Sequence, residues 1–185
     1  MRKTIVLALA AVLAEPMAKD VPKVPLSDLV RRSSVVVVGK VDRVETVAGV
    51  RVAQVTSQDV VKGESVPATF AFVAEGTWAC DVSTATEGET ALLFLQDPVP
   101  STGTSKLAGL WPALGTRKGF IISLSGRGRM PVHEGSRDRH VHSLEYFDEV
   151  ATWPDTCKEC RGREKPLADL LGQLRSIVDE QRPPR

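Results

Sequence analysis

The sequence lacks an excess of charge of either sign. Its 24 Lys and Arg residues are balanced by 23 Asp and Glu residues, so the formal net charge is +1 at pH 7. Proteins that bind nucleic acid carry positive charge that displaces the counterions of the phosphates. The charge balance therefore argues against nucleic acid as a partner. The 42% of hydrophobic residues are enough for the core of an ordinary globular domain.

The apolar run near the N-terminus is too short for a permanent membrane span. Basic residues at positions 2 and 3 precede a run over residues 4–12, whereas a transmembrane helix needs about 20 apolar residues. A basic segment followed by a short apolar run and small residues is typical of a signal peptide. We therefore predict a signal peptide over residues 1–14, with residue 18 as a second cleavage point, and an exported protein that is periplasmic or extracellular. No cysteine follows the run directly, which argues against a lipoprotein anchor.

Motifs of the common enzyme classes are missing as well. Ser123 and Ser125 belong to an apolar segment without a nucleophile elbow. The glycines of residues 126–128 fit a turn rather than a phosphate-binding loop. All three histidines lie in one polar region, residues 133–142, where solvated side chains are the ordinary outcome. We therefore expect no catalytic activity and no cofactor.

Cysteine is scarce, and its three residues are Cys80, Cys157 and Cys160. The last two form a C-x-x-C motif, but Arg161 stands where haem attachment requires a histidine. Exported compartments oxidise thiols, so we favour one structural disulfide and one spare thiol. A bridge from Cys80 to either residue of the pair and a local bridge within the pair both stay open.

A metal or thiol redox centre is the alternative use of the C-x-x-C motif. His140 and His142 lie upstream of Cys157 and Cys160, and two imidazoles with two thiolates form an ordinary zinc ligand set. A thioredoxin-type centre requires a helix directly after the motif, whereas a glycine and a proline interrupt residues 162–166. The alternative function is therefore a zinc-binding or thiol redox protein.

Valine-rich segments predict a small antiparallel β-barrel. Residues 34–46 are dense in β-branched side chains at first and more polar later, which predicts a long strand buried on both faces only in its first part. Gly39 predicts a bulge in that strand. Residues 50–64 predict a second long strand, and residues 90–96 predict a central buried strand. We expect the barrel to occupy residues 26–134.

Helices are predicted at both ends of the barrel. Residues 26–32 carry leucines and a valine at helical spacing, which predicts a short N-terminal helix. Apolar residues between 165 and 181 recur on one helical face, which predicts an amphipathic C-terminal helix. We expect residues 143–181 to form a C-terminal helical segment packed on the barrel.

Three segments carry a family resemblance: "LSDLVRRSSVVVVGKVDRVE", "VRVAQVTSQDVVKGES" and "GETALLFLQ", all within residues 26–96. They resemble exported bacterial proteins with an OB-like barrel, which are related in fold to netrin-like modules and tissue inhibitors of metalloproteinases. The resemblance implies a mainly β fold and a secreted, non-catalytic binding or inhibitor-like module. Metalloproteinase inhibitors of this fold chelate the enzyme's zinc through a mature N-terminal cysteine. The predicted mature chain begins at Glu15 or Lys19, so that mechanism does not transfer.

Four side chains are candidate ligand contacts. The segments on either side of residues 126–129 are predicted to pair as a hairpin whose basic tip carries Arg127 and Arg129. Trp78 and Trp111 lie in predicted loops, and OB barrels bind oligonucleotides and oligosaccharides on one face. An unknown protein or an acidic glycan is therefore the expected partner. The alternative is a solvated basic surface, with tryptophans that cover a small core.

Overall fold

A computed structural model describes residues 24–76, 83–98, 106–135, 138–143 and 163–183 of the 185-residue chain. The strands are β1 (Val35–Val47), β2 (Val50–Lys62), β3 (Thr69–Val73), β4 (Thr90–Gln96), β5 (Gly119–Ile122), β6 (Arg129–Glu134), β7 (Arg139–Ser143) and β8 (Arg163–Pro166). The helices are α1 (Leu26–Arg32), α2 (Leu110–Ala113), α3 (Ser123–Gly126) and α4 (Leu167–Glu180), and a 3₁₀ turn (Lys106–Gly109) leads into α2.

Five strands close into a barrel. β1 pairs with β2 along one edge and with β4 along the other. β2 pairs with β3, and β5 completes the ring by pairing parallel to β3 and antiparallel to β4. Closure removes the exposed strand edges that an open sheet would present. The predicted fold class is confirmed: the protein is mainly β, its closed barrel is compatible with an OB-like barrel, and helices lie at both ends.

The first half of β1 and residues 91–95 of β4 are buried on both faces. Val35 and Val37 point into the barrel, while Val36 and Val38 pack under the helices. Strand periodicity places successive residues on opposite faces, so an uninterrupted apolar run fills two cores at once. The core inside the barrel contains Val35, Val37, Val41, Ala53, Val55, Phe70, Phe72, Ala91, Leu93, Leu95, Phe120 and Ile122, and the core beneath the helices contains Leu26, Leu29, Val30, Val36, Val38, Leu92, Phe94, Met130, Val141, Leu167, Leu170, Leu171 and Leu174.

The predicted bulge in β1 is confirmed. The register of β1 against β2 shifts between Val38 and Gly39. A Cβ atom at residue 39 would collide with the Val55 side chain across the strand pair. Glycine is therefore needed because the two strands approach each other closely where β1 bends into the barrel wall.

The predicted hairpin around residues 126–129 is wrong. β5 and β6 do not pair with each other; both pair with β4, along different parts of the same edge. The chain between them forms the one-turn helix α3, in which Leu124 has a φ of 54°. β6 then continues into β7 and β8 as an antiparallel extension of the sheet beyond the barrel.

Helix α4 confirms the predicted amphipathic helix, and Pro166 lies at its N-cap. The wider expectation of a helical segment over residues 143–181 needs a correction, because residues 163–166 form strand β8. Residues 144–162 lie outside the described residues. In the part of the chain that the structure covers, no helix has the length and apolar character needed to cross a membrane.

Polar contacts at the C-terminus of α1 hold this helix to the barrel. The Lys62 ammonium donates hydrogen bonds of 2.7 Å to the carbonyls of Val30 and Ser33, at the helix end where the last carbonyls lack the amide partners of the helix interior. The Ser33 hydroxyl bonds to the Leu29 carbonyl at 2.7 Å and lies 2.8 Å from the hydroxyl of buried Ser123. Partial burial lowers the pKa of Lys62. These contacts give hydrogen-bond partners to the partly buried ammonium of the lysine that ends β2.

Candidate functional site

Four of the nine predicted site residues lie outside the described residues. They are Cys80, Cys157, Cys160 and Trp78. The disulfide, the zinc–thiolate site and the thiol redox centre therefore stay predictions, and so does a ligand contact by Trp78.

Trp111 packs on the barrel wall. Its ring lies over Gly119, where an added Cβ would stand 2.7 Å from Trp111 Cζ3. Its neighbours Leu110 and Leu114 are buried in α2 and just after it, against the outer surface of β2 and β3. In OB barrels the face of these two strands is a common ligand surface. Here the protein's own segment covers it, which agrees with the core-covering interpretation of Trp111.

Arg127 and Arg129 are not at an exposed tip. Arg129 makes a two-pronged ion pair with Glu89, with Nη2–Oε2 at 2.5 Å and Nε–Oε1 at 3.0 Å. Their side chains are only 10% and 18% exposed, so Arg129 joins β6 to the start of β4. Arg127 is half-buried at the end of α3. The exposed basic tip predicted for these two residues is absent from the described structure because the segment is helical and packed.

A cleft opens at the end of the barrel where β1 and β2 project beyond their neighbours. We call it the rim cleft; it has a volume of about 500 Å³ and is lined by Val44, Glu45, Thr46, Arg51, Thr86 and Glu87. One wall is the β1–β2 hairpin, and the other is the segment that leads into β4. Five of the six lining residues have polar side chains, and these carry charges of both signs.

Hydrogen bonds fix the two walls of the rim cleft to each other. The Val44 amide donates to Glu87 Oε1 at 2.9 Å, and Arg51 Nη2 donates to the Ala85 carbonyl at 3.2 Å. Deeper in, the Gly88 amide donates to the Val41 carbonyl and the Val41 amide to the Glu89 carbonyl, both at 2.8 Å. The cleft is therefore preformed.

The charged groups of the rim cleft are arranged as a small network. Glu45 accepts a short hydrogen bond from Arg117 and lies 3.5 Å from Arg43. The Arg117 hydrogen bond is the main reason that the pKa of Glu45 lies below its ordinary value, and the charges of both arginines add to it. The carboxylate is thus held ionised at neutral pH in a cleft that Arg51 also lines. Sequence reasoning missed this cleft because it depends on contacts between segments about 40 residues apart.

A second groove runs between the end of β2 and the C-terminus of α4. Its lining includes Val60, Lys62, Glu64 and Arg182. Val60 is 42% exposed and is the exposed large hydrophobic residue of the described chain. Lys62 is already committed to the carbonyls of α1, so this groove offers less specific chemistry than the rim cleft.

Of the four predicted metal ligands, the two histidines lie in β7, and the two cysteines lie outside the described residues. His140 lies in β7 opposite His133 of β6, a residue that was not among the predicted ligands. His142 lies in the same strand, in register with Glu164 of β8. Among the side chains that the structure describes, no group of three His, Cys, Asp or Glu residues is gathered in a metal-binding arrangement. The signal for His133 was its place in the same polar region as the other two histidines.

Comparison with known protein families finds no matching family model, and no curated protein matches the chain. The strand pairings alone define the class of protein, which is a closed, five-stranded β-barrel compatible with an OB-like barrel.

Proposed function

We propose that this chain is an exported, non-catalytic binding module of the inhibitor-like type, and that it binds a protein partner at the rim cleft. The observation that carries the proposal is the projection of the β1–β2 hairpin. β4 accompanies β1 only as far as Lys40, whereas β1 continues to Val47. Beyond that point β1 has no second strand beside it among the described residues.

No strand pairs with the projecting edge of β1 among the described residues; a side chain and a loop cover it instead. The segment before β4 satisfies the amides of Val41 and Val44, one through a carbonyl and one through the Glu87 carboxylate. One wall of the rim cleft is thus a hairpin, and the other is a loop that is fixed to it. Such loops on a rigid scaffold are where binding residues are concentrated in proteins.

The chemistry of the rim cleft favours a protein over a small apolar ligand. Pockets for small molecules are mostly apolar and bury most of their ligand, whereas this cleft is open and lined by Glu45, Arg51 and Glu87. Charged groups of both signs, held in place before binding, provide electrostatic complementarity to a polar protein surface. The Trp111 segment also covers the barrel face that corresponds to the one used by sugars and oligonucleotides in OB barrels.

A photocrosslinking experiment tests this proposal. A photoreactive phenylalanine derivative replaces exposed Thr46 in the rim cleft or, as the matched control, exposed Val60 at the far end of the same hairpin. Both proteins are irradiated in the exported protein fraction of the native host. We expect one discrete protein adduct from position 46 and none of the same mass from position 60.

Two further variants make the test specific. Arg51→Ala removes a cleft guanidinium and should weaken crosslinking about tenfold, which corresponds to ~1.4 kcal/mol. Lys40→Ala removes an exposed positive charge from the same strand pair outside the cleft and should leave the adduct unchanged. Equal adducts from positions 46 and 60, or a glycan rather than a protein bound at position 46, would overturn the proposal.

A further inference from the structure

The β6–β7 hairpin brings two histidines directly opposite each other. Its register pairs Val132 with Val141, His133 with His140, and Glu134 with Arg139. Residues opposite each other in an antiparallel pair lie on the same face, with their Cβ atoms about 4.5–5.5 Å apart. The imidazoles of His133 and His140 therefore rise from neighbouring points of one face.

The other face of the same hairpin is committed to the core. Val141 is fully buried, and Val132 packs against the same cluster beneath α4. Because successive residues alternate between faces, the histidine pair lies on the face away from that core. His133 is exposed and His140 is half-buried, so an ion from solvent reaches both.

Gly135 makes room for one of the imidazoles. An added Cβ at residue 135 would stand 2.9 Å from His140 Cδ2 and 3.2 Å from His140 Nε2. The Gly135 amide donates to the Asp138 carbonyl at 2.9 Å, which closes the hairpin turn. The His140 ring is thus packed over backbone rather than extended freely into solvent.

The third histidine of the chain falls on the same hairpin. His142 lies two residues after His140 in β7, in register with Glu164 of β8. All three histidines among the 185 residues thus share one small region.

We propose that this face of the β6–β7 hairpin binds a divalent transition-metal ion of the zinc and copper class through His133 and His140, with solvent oxygens completing the coordination. Imidazole nitrogen is a preferred ligand of these ions. A tetrahedral zinc ion with Zn–N bonds of about 2.0–2.1 Å holds its ligand nitrogens ~3.3 Å apart, a separation that opposed strand residues can reach. The proposal requires neither the C-x-x-C motif nor the rim cleft.

Cobalt titration of the metal-free full-length protein tests the site. Co²⁺ in a site of imidazole and oxygen ligands shows weak visible bands, whereas thiolate ligands add intense near-ultraviolet charge-transfer bands. We expect one equivalent of Co²⁺ to bind with the visible bands alone, and Zn²⁺ to displace it. The double variant Cys157→Ser/Cys160→Ser should bind with unchanged affinity.

Single substitutions then assign the ligands. His133→Gln and His140→Gln should each weaken binding by at least about tenfold, since even outer-shell changes at metal sites cost 10–100-fold. Glu134→Gln is the matched control, because residue 134 neighbours His133 in sequence but lies on the opposite face. Circular dichroism confirms that each variant is folded. Binding that survives both histidine variants, disappears in the cysteine double variant, or is absent from the wild-type protein would overturn the proposal.

Discussion

The two halves of strand β1 differ in what surrounds them. From Val35 to Val38 the strand lies between β2 and β4 and is buried on both faces. From Arg43 to Val47 it keeps β2 as its only neighbouring strand among the described residues, and its side chains are half-buried or exposed. One strand thus forms the scaffold at its start and the wall of the rim cleft at its end. The difference teaches that the polar part of a long strand, rather than its apolar part, marks the surface available for function.

Truncation in the doubly buried region should have the largest effect. Phe94 is fully buried in β4, in the core beneath the helices, and pairs with Val36 of β1. Phe94→Ala should lower the free energy of unfolding by about 3–5 kcal/mol, because a large cavity forms where the structure cannot collapse fully. Urea denaturation followed by circular dichroism measures the change.

Val60→Ala is the control for this truncation, since Val60 is 42% exposed on β2. Its effect should stay within about 0.5 kcal/mol. A loss for Phe94→Ala no greater than that for Val60→Ala would contradict the two-sided burial of β4.

The boundary between the two halves of β1 depends on the Arg129–Glu89 ion pair. Glu89 precedes β4, and its carbonyl accepts the Val41 amide in the middle of β1. Glu89→Gln keeps that backbone bond but takes the carboxylate from an Arg129 side chain that is only 10% exposed. Breaking a largely buried pair on one side should cost roughly 3 kcal/mol.

The exposed pair between Arg175 and Asp59 is the matched control, with N–O at 2.9 Å and side chains 51% and 40% exposed. Asp59→Asn should cost less than about 1 kcal/mol. Thermal unfolding of the two variants side by side measures the contrast, and equal losses would show that the Glu89 pair does not anchor the boundary.

The barrel was predictable because its strongest signals are local. The apolar runs of β1 and β4 and the bend glycine Gly39 each require close packing wherever they occur, so their sequence pattern sufficed. The extension of the sheet beyond the barrel, formed by β6, β7 and β8, was not predictable in the same way. β7 and β8 are short and largely polar, and β6 joins the sheet through β4 rather than through its sequence neighbour β5.

The candidate sites depend on contacts that no local pattern contains. The rim cleft is formed when the segment around Glu87 meets the β1–β2 hairpin, about 40 residues earlier in the chain. His133 and His140 become neighbours only through the register of β6 and β7. Arg129 shows the reverse error: a basic residue beside a glycine suggested an exposed tip, but its ion pair with Glu89 commits it to the fold.

A substitution in the projecting half of β1 should have the smallest effect on the free energy of unfolding, and that effect should depend on pH. Arg117, which donates a hydrogen bond to Glu45, holds the pKa of that carboxyl below its ordinary 4.5. Because the folded-state pKa is lowered, the stabilisation is fully present above pH 4.5 and is lost as the pH falls through the folded-state value. Glu45→Gln should therefore lower stability by less than about 1 kcal/mol near neutral pH, and the difference should shrink as the pH falls below 4.5.

Urea denaturation of the wild type and Glu45→Gln across this range measures the difference, with Asp28→Asn on α1 as a variant in another exposed ion pair. A difference that persists at acid pH would mean that Glu45 acts through packing rather than through its charge. The network at the rim cleft would then belong to the scaffold, and the contrast between the two halves of β1 would be weaker than their exposure indicates.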